Sequence, residues 1–169
     1  IGVDGSKWTI RDVKVGRRYV WVVVTAHAYS RGGIARYDKI NSTWKTWGPE
    51  AFGKIDRVDF NSFDAFDDKA FVTLFDAPGG TKIYAFNSSN DSWSSMFSLG
   101  IDGGFIRELH YFKDSLYFLV NDVLNTLDSD NQISPIFDCN NCTISTDNNR
   151  DRLGIIEWPN VIYIFDEKE

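Results

Sequence analysis

Several residue types are scarce in this chain of 169 residues. It has two cysteines, two histidines, four prolines and one methionine. The histidines, His27 and His110, lie far apart in sequence, so no Ser-His-Asp or Cys-His arrangement can be assembled from local pattern. A zinc site would need a further pair of thiol or imidazole ligands beside Cys139 and Cys142. No apolar run approaches the roughly 18 residues of a membrane-spanning helix, so membrane insertion is not expected. No window sustains the i, i+3, i+4, i+7 spacing of an amphipathic helix. Basic residues are also in the minority: 18 Lys and Arg against 24 Asp and Glu leave a net charge of −6. That balance argues against a nucleic-acid partner, which needs a basic surface. Gly100, Gly103 and Gly104 precede a strand pattern rather than a helix, so no phosphate loop is present. No catalytic residue, cofactor or metal site is expected.

What is abundant is aromatic and β-branched sequence arranged in repeats. Four stretches share one pattern: an arginine, an alternating run, a polar turn, then a nearly unbroken apolar strand. They run from Arg11 to Val24, Arg57 to Phe75, Arg107 to Val120 and Arg152 to Phe165. The arginines stand 46, 50 and 45 residues apart. Between these hairpins lies a second unit of strand, Asx-rich turn and strand. Its copies are Ile34 to Trp44, Ile83 to Trp93, and a weaker one from Val123 to Phe137. A period of about 47 residues holding about four short strands is the mark of a propeller blade. The expected fold is all-β: a β-propeller or propeller segment of four-stranded antiparallel blades. It forms one domain over residues 1–169, with repeats starting near 11, 57, 107 and 152.

The chain resembles the kelch-repeat family. The residues that carry the resemblance are Tyr37-Asp38 and Phe86-Asn87, the tryptophans that follow them (Trp44, Trp93), and the arginines opening the next repeat (Arg57, Arg107). Kelch-like propellers are mostly interaction scaffolds, so the resemblance implies binding of a protein partner rather than chemistry. Four first hairpins stand against three second hairpins. The expectation is a piece of a larger propeller that assembles with further propeller sequence. The alternative is a small four-bladed ring in which residues 4–8 add an outer strand.

Four N-x-S/T sequons, at Asn41, Asn87, Asn90 and Asn141, all fall on expected turns or loops, where a glycan could project. Cys139 and Cys142 form a C-x-x-C without a following helix. That favours a small loop-closing disulfide or two thiols over a redox motif. Sequons and cysteines together point to an extracellular or secretory-lumenal protein. The stretch from Asp138 to Asp151 reads as a long exposed loop.

The candidate ligand residues are Arg11, Arg57, Arg107 and Arg152. Equivalent positions in a propeller ring the axis, and a ring of guanidiniums would hold a carboxylate or sulfate. The competing reading, which the sequence favours, makes them structural links between blades. Trp44, Trp47, Trp93 and Trp158 are either core or sugar-stacking platforms. Acidic turns such as Asp128 to Asn131 and Asp147 to Asp151 carry oxygen ligands but not the pattern of a calcium loop. The runner-up function is a glycan-binding lectin or a sialidase-like enzyme. Asn90-Asp91-Ser92-Trp93 is a faint echo of the sialidase Asp-box.

Overall fold

The structure is a computed structural model that describes residues 8–26, 32–54, 60–76, 80–100, 104–112, 114–128, 130, 132–138, 142–146, 152–157 and 160–165. It is all-β, with fifteen strands among the described residues. They are β1 (Trp8–Val15), β2 (Tyr19–Ala26), β3 (Gly33–Asp38), β4 (Thr43–Trp47), β5 (Phe60–Phe66), β6 (Lys69–Asp76), β7 (Gly80–Asn87) and β8 (Ser92–Leu99). Then come β9 (Ile106–Phe112), β10 (Ser115–Val120), β11 (Val123–Leu127), β12 (Ile133–Asp138), β13 (Cys142–Thr146), β14 (Arg152–Glu157) and β15 (Asn160–Phe165). The one helical element described is a single 3₁₀ turn, Pro49–Phe52.

Each group of consecutive strands folds back on itself as an antiparallel meander. The sheet orders are β1-β2-β3-β4, β5-β6-β7-β8, β9-β10-β11-β12 and β13-β14-β15. Tight polar turns make this possible. Asn121 and Asp122 both take positive φ (48° and 62°), which fits the two-residue turn that joins β10 to β11. Asp67 (φ 52°) begins the two-residue turn from β5 to β6. Asp38 closes the β3–β4 turn, accepting from the backbone N–H of Ile40 at 2.9 Å. The expected first and second hairpins are therefore β1–β2, β5–β6, β9–β10 and β14–β15, and β3–β4, β7–β8 and β11–β12.

One sequence expectation is overturned. The stretch from Asp138 to Asp151 is not one long loop, because β13 runs through it and pairs with β14 from Cys142↔Glu157 to Thr146↔Leu153. Thr143, Ile144 and Thr146 are β-branched and favour extended backbone. Their Asn- and Asp-rich flanks mask that short signal.

The first sheet stacks face to face on the second. Trp21, Val23, Ile34 and Trp47 from the first meet Phe63, Val72, Leu74, Tyr84, Phe86 and Trp93 from the second. The 3₁₀ turn tucks into the same core, where Phe52 packs edge-on against Phe60 and Tyr84. A second core joins the second sheet to the third, with Phe71 and Ile83 packed among Ile106, Leu109, Leu116 and Phe118. Gly80 opens β7 at φ 80°, where an added Cβ would lie 2.1 Å from the Leu99 carbonyl oxygen, so no other residue fits without shifting the strand.

Candidate functional site

The seam between the first and second sheets carries a repeated polar contact. Trp21 Nε1 donates to the Asp67 carbonyl at 2.9 Å, and Trp47 Nε1 donates to the Asp91 carbonyl at 3.0 Å. In each case an indole of the first sheet reaches a turn of the second. Those turns also gather charge. The Asp67 carboxylate accepts from the backbone N–H of Arg17 at 2.6 Å. The Asp91 carboxylate pairs with Arg36 at 2.9 Å and Lys45 at 2.7 Å. Arg36 lies among the rings of Tyr19, Trp21, Trp47 and Phe86, 4.5 to 5.5 Å from their centroids. Its charge is thereby shared between one carboxylate and four aromatic faces.

These ion pairs leave their mark on acidity. Asp91 is held below the usual carboxylate range by its hydrogen bond to Lys45, aided by Arg36 and against the opposing effect of burial. Asp38 is lowered strongly, first by the Arg18 guanidinium and then by the backbone N–H groups of Asn41 and Ile40. A depressed carboxylate contributes stability that is fully present above its unfolded pKa and is lost as pH falls through the folded value. The melting temperature is therefore expected to hold between about pH 5 and 7 and to drop below about pH 4, as the two carboxylates take up protons. Asp91→Asn, which cannot titrate, should start lower and lose less on acidification; calorimetry across this range reads both.

Between the first two sheets lies a cleft of about 230 Å³, lined by Arg11, Asp12, Val23, Phe60, Asn61, Ser62 and Phe63. Two register irregularities border this cleft, and a third lies in β9 of the third sheet. Arg11 is the extra residue between Ile10 and Asp12 in β1, β5 slips between Phe60 and Phe63, and Glu108 (φ 48°) is the extra residue of β9. Bulges of this kind re-aim side chains and are common beside functional sites. The cleft is nonetheless below the usual range of about 300–1,000 Å³ for small-molecule sites. Its polar groups are also engaged: Asp12 caps its neighbour's N–H at 2.7 Å, and Ser62 Oγ accepts from Leu109 N at 2.8 Å.

Of the candidate arginines, Arg11 and Arg107 differ in setting. Arg11 is exposed at the β1 bulge and donates to the Asn61 carbonyl of the next sheet at 3.3 Å. Arg107, exposed on β9, pairs with Asp122 in the β10–β11 turn of its own sheet. Arg57 lies outside the described residues. Arg152 opens β14, the middle strand of its sheet, whereas β1 and β9 are end strands. Beside β9 stands β13, not β14. Because the Arg107 pair is solvent-exposed, Arg107→Ala is expected to cost under about 1 kcal/mol by urea titration.

Asn41, Asn87 and Asn90 are exposed on the β3–β4 and β7–β8 turns. Within two of these sequons the serine hydroxyl already bonds the asparagine oxygen, Ser89 to Asn87 at 2.6 Å and Ser92 to Asn90 at 2.7 Å. Asn141 and Cys139 lie outside the described residues, and Cys142 is the first residue of β13. Trp47 and Trp93 are core, Trp44 is 58% exposed, and Trp158 lies outside the described residues. In the acidic turn after β11, Asp128 Oδ1 accepts from the N–H groups of Asp130 and Gln132, both at 2.9 Å.

Sequence reasoning named Asp38 and Asp91 only as parts of motifs and passed over Asp64 and Asp67; Asp64, Asp67 and Asp91 carry polar contacts between sheets, and Asp38 holds Arg18 within the first sheet. Asp38, Asp67 and Asp91 stand at or beside a two- to four-residue turn between strands, whereas Asp64 lies within β5. No family model and no curated protein matches the chain.

Proposed function

We propose that this chain is a non-enzymatic extracellular interaction or structural module built on kelch-like propeller blades, binding protein partners or assembling with further propeller sequence. The observation that carries this reading is the repeated seam. Trp21 and Trp47 reach turn carbonyls 46 and 44 residues ahead of them, close to the sequence period. Consecutive four-stranded meanders stacked in chain order by a recurring contact are what propeller blades require. The well-placed charges of the stack (Arg18, Arg36, Lys45, Asp38, Asp91) serve contacts within it, which suits a scaffold. The exposed sequons support a secreted protein.

Native mass spectrometry of the protein isolated from its source is expected to find it bound to another chain or to a second copy of itself. Intact mass should show glycan on at least one of Asn41, Asn87 and Asn90. Turnover of glycosides, or saturable glycan binding that Arg11→Ala abolishes, would replace this reading with the lectin or sialidase alternative.

A further inference from the structure

The two faces of the first sheet differ in what covers them. One face packs on the second sheet through Trp21, Val23, Ile34 and Trp47. Strand alternation and register place Ile10, Val13, Val15, Val20, Val22, Val24, Ala35, Tyr37 and Trp44 on the other. That second face carries no charged side chain among these nine. Ile10 is 64% exposed, Val15 68% and Trp44 58%. A contiguous apolar surface of this kind marks an interaction site.

The internal repeat says what fits there. In the second sheet, Phe86 pairs with Trp93 across β7 and β8; in the first, Tyr37 pairs with Trp44 across β3 and β4. The turn residue before each pair has the same backbone conformation, with φ of 54° at both Asp91 and Ser42. Val72 and Leu74 of β6 correspond to Val22 and Val24 of β2. On the second sheet this face is covered by the first sheet, and Trp93 is only 7% exposed. The equivalent face of the first sheet has no such cover among the described residues.

The geometry points to the outward face of the first sheet as the seat for another sheet of this same repeat, supplied by a second copy of the chain. The inference rests on the scaffold reading above and names its interface. A second copy has a suitable element in its last sheet, where β15 alternates Val161, Tyr163 and Phe165 with Ile162 and Ile164, so both register sets are apolar. By analogy with Asp91, the Ser42 carbonyl is placed to accept a polar hydrogen from the incoming sheet. Such a contact is heterologous, joining unlike faces of two copies.

The test is hydroxyl-radical footprinting of the full chain at low and high concentration, read at Trp44, Val15 and Trp93, with sedimentation velocity on the same samples. The expected result is Trp93 protected throughout, while Trp44 and Val15 become protected as the chain self-associates. Val15→Glu and Trp44→Gln should each abolish association, with continued Trp93 protection showing that the variant is folded. If Trp44 stays reactive at every concentration while Trp93 is protected, the inference fails and the stacked repeat stands. If Trp44 is protected in a monomer, the chain covers its own face and the second copy is excluded. If Trp93 is reactive too, the underlying scaffold reading fails with it.

Discussion

Trp21→Ala is expected to remove about 3–5 kcal/mol of stability, the range for deleting a large buried aromatic. Trp21 has 0% exposure and sits at the centre of the first core. Its ring stacks on Trp47 at 5.8 Å and meets Phe63, Phe86 and Trp93 at 6.4, 5.0 and 6.1 Å between centroids. Truncation leaves a cavity bounded by two sheets, and neither can collapse into it without tilting against the other. The Asp67 carbonyl also loses its indole donor. Against a typical total of about 5–15 kcal/mol, this is a large share of the stability. Trp21→Phe keeps most of the buried area and loses the hydrogen bond, so its cost should be nearer 1–3 kcal/mol, about what an unpaired buried group costs. Urea titration with an unchanged denaturant slope would read both values as losses of stability rather than of compactness.

The second large effect is expected at Asp64, which ties the second sheet to the third. Its carboxylate has 0% exposure, and Oδ2 accepts from the backbone N–H of Tyr111 at 2.7 Å. Ser62, two residues earlier on β5, accepts from Leu109 N at 2.8 Å. β9 is an end strand of its sheet. Side chains of β5 accept from the N–H groups of Leu109 and Tyr111 at this packed junction. Asp64→Ala should therefore cost about 1–3 kcal/mol, the penalty for stranding a buried donor. Asp64→Asn retains an acceptor oxygen and should lose visibly less. Equal losses from the two variants would mean that the charge of the carboxylate, whose Oδ1 lies 4.0 Å from Lys14 Nζ, and not the neutral bond to Tyr111, accounts for the effect.

The hairpins were legible in the sequence because local chemistry decides them. Asx turns interrupt β-branched and aromatic runs at short intervals, and no competing helical pattern exists. β13 was hidden because five residues flanked by Asn and Asp carry too little pattern to stand out. The settings of Arg11 and Arg107 were not legible for a related reason. Bulges at Arg11 and Glu108 and the slip between Phe60 and Phe63 shift the strands independently, so equal sequence spacing does not place side chains in equal settings. Trp44 and Trp93 make the limit clear. They occupy the same place in the repeat, yet one is exposed and the other is core. Which face of a sheet is covered depends on the neighbouring sheet, and no local pattern encodes that. The contacts of Asp67 and Asp91 across the stack were hidden because an Asp in a turn explains itself locally, whether or not it also serves a neighbour.

The central claim is that consecutive meanders stack face to face in chain order, and a double-mutant cycle between Arg36 and Asp91 tests it most directly. These residues lie 55 positions apart and meet only if the first sheet lies on the second. The Arg36 side chain is 11% exposed, so its pairing is less screened than a surface ion pair. From Arg36→Met, Asp91→Asn and the double variant, the stacked arrangement gives a coupling of about 1 kcal/mol or more by urea titration. A coupling indistinguishable from zero, with all three variants folded, would contradict it.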